Sequence, residues 1–207
     1  MDIVLSTPPD EADVLNLVSV ADLKVNERIS HTQHDATLLP DSIKAAYAFL
    51  DGRYGWLNRS ILTQSWTMWF PRFQQVTELK YGPVQSVTSV KYFDADGVEQ
   101  TLSATAYEVT TGDVTGHVYK KSDTIWPVID TRQRAVSVEY VAGFGDAADI
   151  PFPVKQNLKK AILLMASHYY RNPSATYAEP RTLAVNRKIE YGLESLIGFL
   201  RVPPDYS

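Results

Sequence analysis

The sequence contains no cysteine. That removes disulfide frameworks, thiolate zinc sites and cysteine nucleophiles together, and it suits a reducing compartment. Long hydrophobic runs are missing as well. The longest clean one, Ala161–Ala166, falls far short of the roughly 20 residues a membrane span needs, so no membrane partner is expected. The opening MDIVLSTPPDEAD has no basic stretch followed by an apolar one, so no signal peptide is expected. Charge of one sign is not in large excess: the net value is −4, which does not draw the chain to nucleic acid in bulk. Gly-x-Ser-x-Gly, Walker and His-Glu-x-x-His patterns are all absent, as are internal repeats and low-complexity tracts. Neither an enzyme nor a cofactor is expected.

What is present is an ordinary globular balance of 44% hydrophobic and 21% charged residues over 207 positions. The segment 151–172, PFPVKQNLKKAILLMASHYYRN, carries Leu158, Ala161, Ile162, Met165 and Tyr169 at helical spacing. Pro151 and Pro153 stand where a helix start tolerates proline, and Asn172-Pro173 ends it. Its apolar middle implies a helix buried in its own domain or shared with a neighbouring subunit. Upstream, residues 1–13 read as an irregular start, and Ser19 caps a short helix through Ile29. HTQHDATLLPD connects to a second stripe, Leu39, Ile43, Tyr47, Leu50 and Tyr54, with Asp35 or Asp41 as its cap and Gly55 as its stop.

At Ile61 the period changes to two. Trp66, Met68 and Phe70 share one face of a strand; YGPVQ is a turn before SVTSVKYF; Asp96-Gly97 marks a tight hairpin returning through VEQTL. Ala106–Thr110, His117–Lys120 and Ala135–Val141 read as further strands, ended by Gly143 and Gly145. Downstream, PSATYAEPRTLAVNR reads as a mobile loop, and Ile189, Leu193, Leu196, Ile197 and Leu200 form a last short helix before RVPPDYS. The fold class expected is α+β: a small helical bundle core with an antiparallel β insertion between the second and the central helix. Residues 1–207 form a single domain in this reading, with a helical base at 19–57 and 152–201, the insertion at 61–143 and an extended tail at 202–207.

Several local patterns could carry chemistry, and each has a plainer explanation. Gly143-Phe144-Gly145-Asp146-Ala147-Ala148 fits a dinucleotide fingerprint, yet the two prolines push the helix start beyond the motif, so a strand-to-helix turn is favoured. His31, His34 and Asp35 lack the further ligands a metal site needs. Asp94 and Asp96 resemble the start of a calcium loop without its later acidic ligand. Trp56, Trp66, Trp69 and Trp126 could form a stacking platform of a carbohydrate- or host-surface-binding module, although alternation in strands favours core. Lys155, Lys159 and Lys160 read as a solvated helix face.

The ordered set of ILTQSW at 61–66, PVQSVTSVKYFDADG at 83–97, Trp126-Pro127, VSVEYVAGFG at 136–145, the helix from Pro153 to Asn172 and YGLESLIGFLRVP at 191–203 resembles the head–tail connector, or adaptor, proteins of tailed bacteriophages and gene-transfer agents. The resemblance spans residues 35–203; the first 34 residues are less typical, and Pro40 departs from the usual second helix. It implies a structural virion protein at the head–tail interface, assembled in the bacterial cytoplasm. Its implied partners are the portal protein, a tail-side completion or stopper protein, and further copies of itself in a ring, commonly twelvefold, around passing double-stranded DNA. The family's carboxy-terminal segment grips the portal. Here Phe199, Arg201, Val202, Pro203, Pro204 and Tyr206 are the candidates, since prolines stiffen the segment and apolar and arginine side chains dominate interface energy. Ile162, Leu164, Met165 and Tyr169 are the candidates for subunit packing.

Overall fold

The structure, a computed structural model, describes residues 2–172 and 191–203. Helices and strands are mixed, as the change of period implied. The chain divides into two compact units. One contains the residues up to Pro9 together with Arg59–Phe144; the other contains Asp10–Asn58 and the chain from Gly145 onward.

The β-rich unit holds strands β1 (Asp2–Thr7), β2 (Gln64–Phe70), β3 (Val76–Leu79), β4 (Val84–Phe93), β5 (Glu99–Thr101), β6 (Tyr107–Thr110), β7 (Gly116–Lys120) and β8 (Val136–Ala142). A five-stranded sheet runs β1-β2-β8-β4-β5 and a three-stranded one β3-β7-β6, antiparallel at every pairing. The period-two residues of β2 do what their spacing requires: Trp66, Met68 and Phe70 face inward and are buried. β8 lies between β2 and β4, and Val136, Val138, Tyr140 and Ala142 meet the same core. Leu79, Tyr107 and Val118 of the smaller sheet close that core. A fully buried Val, Leu, Met or Phe side chain contributes about 1.5–3 kcal/mol by leaving water. The Asp96-Gly97 turn forms as expected, with Gly97 at φ 78° and its N–H donating to the Asp94 carbonyl at 3.0 Å.

Two β elements depart from the sequence reading. The start of the chain is not irregular: Asp2–Thr7 is an edge strand paired with β2 from Asp2↔Trp69 to Thr7↔Ser65. Only Ile3 of this strand is buried, so its six residues carry too little alternation to announce it. β3 is four residues long with Val76 exposed, and its pairing with β7 supplies what its pattern lacks.

The helical unit begins with α1 (Glu11–Leu17), capped by Asp10, whose carboxylate accepts from the Ala12 N–H at 2.8 Å. α2 (Val20–Glu27) starts at Ser19 in a full capping box: Ser19 Oγ accepts from the Asp22 N–H and Asp22 Oδ2 from the Ser19 N–H. α3 (Leu38–Leu50) has no side-chain cap. Asp35 is occupied elsewhere, holding Lys24 Nζ at 2.8 Å, so neither expected cap is formed. α3 also stops at Leu50 instead of reaching Gly55. The chain turns at Gly52, φ 75°, and Tyr54 leaves the apolar stripe to stand 91% exposed.

α4 (Phe152–Arg171) carries Pro151 at its cap and Pro153 in its first turn, and packs along α3 and α2. Leu158, Ala161, Ile162, Leu163, Met165 and Ala166 are buried. Residues 191–197 are helical, with Leu193 and Ile197 buried, and a 3-10 turn follows at Gly198–Leu200. Gly192 lies so close to α4 that a Cβ there would stand 2.9 Å from Leu164 Cδ2. The loop read at 173–187 and Ile189 lie outside the described residues.

Candidate interaction site

The end of α3 builds the site where the carboxy-terminal segment lies. A helix leaves its last carbonyls without intrahelical partners. Here the chain folds back so that the Trp56 N–H donates to the Phe49 carbonyl at 2.8 Å and the Leu57 N–H to the Leu50 carbonyl at 3.1 Å. Leu57 is fully buried, and its own carbonyl points the other way, to accept the Val202 N–H at 2.9 Å. Asn58, in the left-handed region at φ 52°, donates from Nδ2 to the Pro203 carbonyl at 3.4 Å. The Arg201 guanidinium lies 4.7 Å from the centroid of the Trp56 ring, a cation–π stack. Leu200 is buried beside them.

The candidate portal residues are therefore not alike. Phe199 is 65% exposed and open to a partner. Arg201 stacks on Trp56, Val202 is half-buried, and the Pro203 carbonyl is engaged by Asn58. Pro204 and Tyr206 lie outside the described residues. Of the candidate packing residues, Ile162 and Met165 are covered by the unit's own helices, while Leu164 and Tyr169 are half-buried. Partial burial also lifts the Tyr169 hydroxyl above its ordinary pKa. Trp56 and Asn58 were not legible as the receiving surface. Their role depends on a segment some 145 residues away in sequence, and no local spacing encodes it.

The other sequence candidates resolve into structure. Trp66 is 3% exposed and its indole donates to Ser60 Oγ at 3.0 Å, so Trp66 and Trp69 do not make an exposed stacking pair. Gly143 and Gly145 take φ values of 122° and 121° in the turn after β8, outside α4, whose first residue is Phe152. His34 Nδ1 meets the Tyr170 hydroxyl at 3.1 Å, and no metal-competent cluster occurs among the described residues. Asp94 serves its own turn, accepting from the Asp96 and Val98 amides. Lys159 bridges to Asp22 at 2.8 Å and Lys160 donates to Asn26 Oδ1.

Solved structures align with the whole of this chain. A chain in the neck of the empty gene transfer agent particle, computed with sixfold symmetry, superposes with a TM-score of 0.69 over 100% of this chain and 98% of that one, at 21% identity. The chain shares this neck protein's fold. The same coverage and TM-score hold for chains of the native virion, at 20% identity, and of the native neck computed with twelvefold symmetry, at 21%. No family model and no curated protein matches the sequence.

Proposed function

We propose that this protein is an architectural component of the neck of a tailed-phage-like particle, joining a ring between the portal and the tail. The observation that carries the reading is the end-to-end agreement of fold with a gene transfer agent neck chain, with no part of either chain left over beyond a few residues. The ordered sequence motifs support it independently. In this reading residues 61–143 are a β insertion in the helical base, joined by the strand at the start of the chain. Copies of the chain, twelve by the twelvefold symmetry of the related neck, surround the DNA channel, with portal above and a stopper protein below. Phe199 and the residues after Pro203 reach the portal, and Leu164 and Tyr169 lie where a neighbouring copy can cover them. The role is structural, not catalytic.

Mixing the purified protein with its portal and imaging the product by electron microscopy tests this. Rings seated on the tail-facing side of the portal are expected. A portal that stays bare at micromolar concentrations of both proteins would overturn the assignment.

A further inference from the structure

We propose that Trp56, Leu57 and Asn58 form a built-in dock that holds Arg201, Val202 and Pro203 in place on the helical unit, so that Phe199 and the residues beyond Pro203 are the ones to meet a partner. The consequence for the partner rests on the neck reading; the dock itself does not.

The dock is tied to α3 on one side and to the segment on the other. Trp56 and Leu57 donate to the last α3 carbonyls, so their backbone positions are set by the helix. The groups they present outward then match three successive residues: the Trp56 ring takes the Arg201 guanidinium, the Leu57 carbonyl the Val202 amide, and the Asn58 side chain the Pro203 carbonyl. Three different kinds of contact in register distinguish this from a frayed terminus. Asn58 suits the place, because asparagine tolerates the positive φ it adopts there. A segment held in this way has lost its entropy before a partner arrives, so partner binding costs less. Arg201 and Val202 are thus positioning residues of the tail, and Phe199 and the terminal residues are the ones a partner can contact.

Hydrogen exchange at the Val202 amide of the purified full chain reads the dock directly. Slow exchange is expected in the wild type. Asn58→Gly keeps the positive φ while removing the side-chain donor, and Trp56→Leu removes the stacked ring. Each variant is expected to speed that exchange several-fold while the cooperative melt stays near the wild-type temperature, and to weaken attachment to the portal several-fold. A chain truncated after Pro203 is expected to keep Val202 protected yet lose attachment. Fast exchange at Val202 in the wild type overturns the dock. Faster exchange in the variants with undiminished attachment overturns its positioning role. Failure of the wild type to attach refutes the neck reading and, with it, the positioning role, while the exchange data still report whether the dock exists.

Discussion

At Tyr140 one side chain shows how a buried polar group is made tolerable. The ring is fully buried at the centre of the five-stranded sheet, and its hydroxyl donates to the Lys80 carbonyl at 2.7 Å. Burial pushes its pKa far above the ordinary phenol value, so the proton stays in place across the whole physiological range. Tyr140→Phe leaves the Lys80 carbonyl without this donor and is expected to cost about 1–2 kcal/mol, read as a lower urea midpoint. Gly143 shows the opposite economy, a position where only the absence of a side chain works. Its φ is 122°, and a Cβ there would stand 2.2 Å from the Leu62 carbonyl oxygen. Gly143→Ala is expected to destabilise by at least about 2 kcal/mol, and a melting temperature equal to the wild type would refute the close approach.

At the scale of elements, α2 depends on Asp22. This carboxylate closes the capping box with Ser19 and pairs with Lys159 of α4, tying the two helices. Burial alone would raise its pKa; the bonds from Lys159 and Ser19 outweigh that and hold it below the ordinary 3.8. A lowered folded pKa stabilises the charged form, so the contribution is complete above the unfolded value and fades as pH falls through the lowered one. Stability attributable to Asp22 is thus constant near neutrality and begins to fall below about pH 4. Asp22→Ala is expected to cost about 1 kcal/mol at pH 7 and less at pH 2.5, measured by denaturant unfolding at both values. α4 is held by packing instead. Met165 is 5% exposed, and Met165→Asp would bury a carboxylate among apolar side chains at a cost of several kcal/mol. Loss of the cooperative melt is expected; a folded variant at wild-type stability would show that α4 is less enclosed than its burial indicates.

At the scale of the whole molecule, charge bears on the proposed ring and the DNA it would surround. With −4 per chain, a ring of twelve copies carries twelve times −4, or −48. Lys159 and Lys160, which could have offset this locally, are engaged with Asp22 and Asn26 of their own unit. In the proposed ring, a net charge of this sign would let DNA pass without gripping it. No duplex binding tighter than micromolar is expected at physiological salt, and a submicromolar complex in a filter assay would contradict the reading.

Local chemistry was enough to read much of the chain. The Ser19 cap, the β2 alternation, the Asp96-Gly97 hairpin, β8 and the proline-opened α4 each rest on residues near one another in sequence. Such features follow from dihedral preferences and periodicity, which act along the sequence. Other features were decided only by distant segments. Asp2–Thr7 is a strand because β2 supplies its ladder, and β3 because β7 does. Asp35 pairs with Lys24 instead of capping α3, and α3 ends early where Gly52 turns the chain. The order β1-β2-β8-β4-β5 sets first beside second, and second beside last, in a way that no local pattern states. The dock at Trp56, Leu57 and Asn58 belongs to the same class. Backbone carbonyls, amides and aromatic faces are common to most sequences, and only the fold aligns these with Arg201, Val202 and Pro203.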